Sequence, residues 1–249
     1  MSSGGLDPFA GPELLRLRQE IEADGFVPDD FLPDDPDCPV FGINLACARP
    51  FPETAATSYN AIAAPLSALD EAAYVYPLWQ THVTMITFIS FIRHRRPAPE
   101  RIEDLKTLVD PIAALLKSIF DANKISPFQL EFRSPVLTRK AAILPVANPS
   151  GEISRIRRSV LEKLPQNKAL YEKLACCGLN VPGIIHSTIL RFKGAPADAS
   201  QFMSGFDSIS AQAKPFSFSI RELLLTAETK PYMRGGQVLH RFALRDGAT

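Results

Sequence analysis

The sequence is short of the features that usually announce a function. No charge of one sign prevails: 27 lysines and arginines face 27 aspartates and glutamates, a formal net charge of zero over 249 residues. That balance argues against a protein that coats long DNA or RNA, which needs an overall basic surface. The four cysteines, Cys38, Cys47, Cys176 and Cys177, lack CxxC spacing and are too few for a disulfide scaffold, so reduced thiols are expected. The most apolar run, residues 85–92, is far too short to span a bilayer, and residues 1–10 lack the basic-then-apolar pattern of a secretory signal. A cytoplasmic monomer without membrane contact is the expectation. There is no G-x-x-x-x-G-K-[ST] phosphate loop, G-x-G-x-x-G fingerprint, G-x-S-x-G elbow, H-E-x-x-H or Cys/His zinc spacing. Neither a metal nor a cofactor is therefore expected.

What is present is an ordinary globular composition, 46% hydrophobic and 22% charged, with 22 prolines implying many rigid turns. Residues 1–37 read as an N-terminal extension. It holds a short amphipathic helix over 13–23 and a proline-punctuated loop carrying Asp29, Asp30, Asp34, Asp35 and Asp37. Such a run is most simply a solvated loop; a lid or a cation site are the alternatives.

From residue 38 to 249 the pattern is regular. Strands are expected over 40–48 and 81–92, helices over 53–69 and 102–120, and a strand pair over 128–137 and 141–146. Pro65 should interrupt the first helix, and Pro111 should kink the second or open a new first turn. The order then repeats: a helix over 153–164, a strand over 184–192, a helix over 199–213, and a strand pair over 216–226 and 237–244. His82–Phe88 (HVTMITF) matches His186–Phe192 (HSTILRF), which places one repeat at about 40–146 and a second at about 147–249. The fold class expected is α+β. Two similar lobes would be related by a pseudo-twofold, each a small antiparallel sheet with helices on its outer side and a cleft between them.

Only four histidines exist, and two of them open the repeated strands. Residues i and i+2 of a strand share a face, so His82 projects with Thr84, and His186 with Thr188. Across one cleft this set suits in-line displacement at phosphorus. One neutral imidazole takes a proton from the nucleophile, the other gives one to the leaving oxygen, and the hydroxyls bind non-bridging oxygens. By the same parity Arg191 should point away from His186, toward a structural ion pair unless the strand bends. Tyr232 and Arg234, in KPYMRGG, lie on a loop that could close over a base, with Tyr232 stacking and Arg234 on phosphate. His94, within Arg93–Arg96, marks a solvated turn or an electropositive rim. His240 reads as structural, Trp79 and Tyr76 as packing residues with base contact as the alternative, and Cys176–Cys177 as a helix end.

Paired H-x-T strands in a chain of this size resemble the 2H phosphoesterase superfamily, which includes RNA 2′,3′-cyclic phosphodiesterases and 2′-5′ RNA ligase-like proteins. The residues that carry the resemblance are His82-Val83-Thr84 and His186-Ser187-Thr188. The second motif continues to Arg191 as H-x-T-x-x-R, whereas the first has Thr87 at that place. The resemblance implies His82 and His186 as the acid–base pair and Thr84 and Thr188 as phosphate-binding residues. It implies a metal-independent phosphoesterase acting on 2′,3′-cyclic or 2′-linked phosphodiesters of RNA ends or small nucleotides. The alternatives are a nucleotide-binding module that kept the cleft without catalysis, and a scaffold that uses the acidic extension for partner contact.

Overall fold

A computed structural model describes residues 11–245. In chain order its elements are α1 (Gly11–Asp24), β1 (Gly42–Cys47), α2 (Ala56–Ser67), β2 (Ala73–Val75), β3 (Val83–Ile89), α3 (Pro99–Lys106), α4 (Val109–Asn123), β4 (Phe128–Phe132), β5 (Val136–Leu137) and β6 (Ala141–Ala147). There follow α5 (Glu152–Lys163), α6 (Lys168–Cys176), β7 (His186–Phe192), α7 (Ala199–Gln212), β8 (Phe216–Ile220), β9 (Glu222–Glu228) and β10 (Gln237–Ala243). No helix among the described residues is long and apolar enough to cross a membrane.

The strands form two antiparallel sheets. One has the order β10-β9-β1-β3, the other β2-β7-β6-β4-β8 with β5 on β6. The sheets share a four-strand plan, to which the second adds β2 and β5: a motif strand, β3 or β7, lies beside a strand buried over all or nearly all its length, β1 or β6, followed by a two-strand ribbon. This is the expected pair of similar lobes. Their composition, however, does not follow the sequence repeats. The first sheet takes β1 and β3 from one end of the chain and β9 and β10 from the other, while the second is built mainly from the middle.

The exchange happens at Arg221. Residues 216–226 do not form one strand: β8 pairs with β4 and β9 pairs with β1 and β10. The side chains show why. FSFSI alternates, burying Phe218 and Ile220 on one face, whereas ELLLTAE is buried almost throughout, so the two segments suit different positions in a sheet. The expected strand over 128–137 breaks for a similar reason. FQLEF alternates, and Ser134-Pro135 then separates it from β5.

The helices cover the outer faces. The expected helix over 102–120 is two helices, with Pro111 in the first turn of α4, where no intrahelical N–H is required. Pro65 falls in the last turn of α2. α5 turns Ile153, Ile156, Arg157 and Val160 inward at helical spacing. At the second sheet's core, Phe132 is fully buried against Phe51, Phe216 and Phe218. α1 and the loop after it are not a detached extension: Leu17 packs with Val136, Ala141 and Ile143, and Ile21 enters the main core.

Candidate active site

The motif strands share a deviation that builds the site. Along β1, Leu45 faces Ile86 and Ala46 faces Thr84, leaving Met85 as an extra residue. Along β6, Ala142 faces Leu190 and Ile143 faces Thr188, leaving Ile189 extra. Each strand therefore carries a β-bulge immediately after its H-x-T, and a bulge reverses side-chain parity beyond it. Thr87 and Arg191 accordingly return to the face that holds the motif residues, as the burial pattern confirms. The expectation that Arg191 turns away is corrected: the strand does bend.

His82, Thr84, His186, Thr188 and Arg191 line one cleft of about 410 Å³. A larger hollow of about 800 Å³ between α1, α7 and β4–β5 is mostly apolar and contains no histidine. Both H-x-T motifs line the smaller one.

His82 is delivered by the turn before β3. The Thr81 hydroxyl accepts from the Phe51 amide (2.9 Å) and donates to the Leu78 carbonyl (2.7 Å). The fully buried Gln80 donates to the Tyr232 carbonyl (2.8 Å) and accepts from the Tyr74 hydroxyl (2.8 Å). The Gln80 carbonyl lies 2.9 Å from His82 Nδ1. A neutral ring donates that proton, which leaves Nε2 as the basic nitrogen. The Ile184 carbonyl stands in the matching place two residues before His186 and bears on its ring, but the buried Nδ1 makes no well-formed hydrogen bond among the described residues.

Burial holds both imidazoles at about 4, with Arg49, His186 and Arg191 adding to the effect on His82, and Arg191 and Arg157 on His186. At neutral pH the empty cleft therefore has two uncharged histidines above a set of arginines, an arrangement that favours an anion.

Arg191 is held on three sides. Nε donates to the Tyr76 hydroxyl (3.1 Å), Nη1 pairs with Asp29 (3.3 Å), and the guanidinium sits 4.2 Å from the centre of the Tyr232 ring. Asp29 accepts in addition from the Tyr232 hydroxyl and from the amides of Phe31 (2.9 Å) and Leu32 (3.1 Å). Tyr232 lines the cleft, but its buried ring braces Arg191 and is not open to stack a base. Arg234 is outside the cleft lining: it donates to the Pro36 carbonyl (2.5 Å) and faces Asp37 at 3.7 Å, so it anchors the N-terminal loop instead of contacting phosphate. Arg95 and Arg96 of the basic cluster likewise hold that loop, through the Phe31 ring and Asp35.

Opposite Arg191, the Thr87 hydroxyl donates to Asn44 Oδ1 (2.8 Å), and Asn44 Nδ2 donates to Glu228 (2.6 Å). Burial pushes Glu228 up to about 7, against the pull of the Met233 amide and Asn44. Sequence reasoning assigned no role to Asn44 or Glu228, and read Asp29 only as part of the acidic loop and Tyr76 as a packing residue. Asn44 had a signal, as the one polar side chain in an otherwise apolar strand, and Glu228 a weaker one, as an acid ending a run of mostly apolar residues. Asp29 had none that set it apart from four neighbouring aspartates. Among the described residues, no group of three or more His, Cys, Asp or Glu side chains is placed to hold a metal ion.

No protein-family model and no curated protein matches the sequence. Solved structures do match. TT0787 of Thermus thermophilus aligns over its whole chain and 83% of this one, at 16% identity and a TM-score of 0.51. The chain has the two-lobed α+β fold of that protein. Two further similar structures are a phosphoesterase (18% identity, 85% of this chain and 100% of that one, TM-score 0.44) and Escherichia coli LigT without ligand (16%, 84% and 99%, 0.43). Within this fold, both H-x-T strands line a single cleft between the lobes.

Proposed function

We propose that this chain is a 2H-type phosphoesterase that opens 2′,3′-cyclic phosphates, or cleaves 2′-linked phosphodiesters, of RNA ends or small nucleotides. One observation carries the reading: two H-x-T motifs on equivalent bulged strands of different sheets converge on one cleft. A pure binding site has no need of two titratable groups in matched positions.

In this reading the phosphate lies between His82 and His186, its non-bridging oxygens on Thr84, Thr188 and Arg191. One imidazole removes a proton from water as its oxygen bonds to phosphorus. The P–O bond to the ribose oxygen breaks, and the other imidazole, as imidazolium, protonates that oxygen. One water is consumed and the two histidines exchange protonation states. Because both imidazoles are uncharged in the empty cleft, the acid has to be charged on substrate binding, with the phosphate supplying the counter-charge.

The test is turnover of 2′,3′-cyclic nucleotides and 2′-5′-linked dinucleotides, followed by phosphorus NMR in the presence of EDTA. Wild type should form product, and His82→Ala and His186→Ala should each lose at least about a hundredfold in kcat. Unchanged turnover in either variant would refute the two-histidine mechanism. Retained nucleotide binding with no product from any of the three proteins would favour a binding module.

A further inference from the structure

Arg157 is a buried arginine on α5, behind the cleft and away from its lining. It makes no ion pair among the described residues. Its hydrogen bonds all go to backbone carbonyls: Nε to Met85 (3.0 Å), and Nη2 to Ile184 (3.3 Å) and Thr84 (3.5 Å). Met85 is the bulge residue of the first motif strand, Thr84 belongs to the first H-x-T, and Ile184 is two residues before His186. One guanidinium thus bridges the backbones that carry both histidines, across the two sheets.

Packing alone does not account for this. Ile153, Ile156 and Val160 already give α5 its apolar face, and burying a cation without a carboxylate carries a desolvation cost. A bulge disrupts the local ladder, and the carbonyl exposed there needs a donor from elsewhere. A planar fork reaches acceptors on two strands at once, which an ammonium on a flexible stem does less well.

We propose that Arg157 is a positioning residue that locks the two H-x-T strands into one geometry from behind. The inference rests on the two-histidine reading of the cleft. Arg157 also lays a positive charge under His186, which faces Arg191 on its own strand and His82 from the turn before β3; Arg49 bears on His82 instead.

The test compares wild type, Arg157→Lys and Arg157→Met by two readouts. The first is histidine-ring NMR titration of the unliganded proteins. Arg157→Met should make His186 titrate about half a pH unit higher or more, with His82 nearly unmoved, and Arg157→Lys should hold His186 near its wild-type value. The second is turnover of 2′,3′-cyclic AMP. Here kcat should fall at least about tenfold in Arg157→Met and partly recover in Arg157→Lys, with KM within about twofold, as expected when alignment and not binding is lost. Folded Arg157→Met with wild-type kcat and an unmoved His186 would overturn the proposal. If Arg157→Met does not fold, wild-type kcat in Arg157→Lys overturns it. Absence of turnover in wild type would count against the phosphoesterase reading, and the differential ring titration would still decide the role of Arg157.

Discussion

Anion binding to the cleft should be driven by protons, and sulfate is the probe that exposes this because it does not titrate between pH 5 and 7. Both histidines sit at about 4 in the empty cleft. If a bound dianion raises one of them to about 7, the complex binds a proton that the free protein does not. Affinity then tightens as pH falls from 7 toward 4, and levels off below that. For one histidine moving from about 4 to about 7, the change between pH 7 and pH 5 is roughly 50-fold, or about 2.3 kcal/mol. Titration calorimetry of sulfate in two buffers of different ionisation enthalpy should register about half a proton taken up at pH 7 and nearly one at pH 6. Glu228, at about 7, also gains a proton in this range, and its neutralisation favours an anion. The Glu228→Gln variant should therefore keep most of the slope, and a variant lacking the responding histidine should lose it. A sulfate affinity that is flat from pH 5 to 7 in wild type would refute the claim that the acid is charged by its ligand.

Three other outcomes follow from the packing. Asp29→Asn keeps an acceptor for the Phe31 and Leu32 amides but removes the counter-charge from Arg191, so sulfate should bind severalfold tighter at low salt; equal or weaker binding would show that Arg191 is not on the anion. Glu228 has a raised folded pKa, so its burial favours the folded state least above about pH 7, and Glu228→Gln should remove a loss of stability seen in wild type as pH rises from 4.5 to 7 in denaturant titrations. Phe132→Ala empties the centre of the aromatic cluster and should cost about 3–5 kcal/mol by the same assay, without changing the pH dependence of sulfate binding.

Much of the cleft was legible in the sequence because a histidine pair recurring at matched places is a rare pattern in a chain with four histidines. Strand parity put His82 with Thr84 and His186 with Thr188 correctly. It failed for Arg191 because a bulge is a backbone event: neither Met85 nor Ile189 is a residue type that marks one. The sheet membership was hidden for another reason. The pattern of residues 216–228 says where burial changes from alternating to continuous, but not that the chain then leaves one sheet for the other. Asp29 was read as one acid among several in a solvated loop, yet four donors converge on it, and only tertiary structure brings Arg191 and Tyr232 to it.

The division of strands between the sheets sets an order of assembly. The second sheet is drawn almost wholly from residues 128–220, a continuous stretch, and its long-range pairings can form while the rest of the chain is still being made. The first sheet has to hold β1 and β3 without their ribbon until β9 and β10 arrive from the far end. During synthesis the wholly buried β1 therefore waits, one edge unpaired, for roughly the last tenth of the chain, and a ribosome that stops short of it releases a protein whose cleft has only one finished wall.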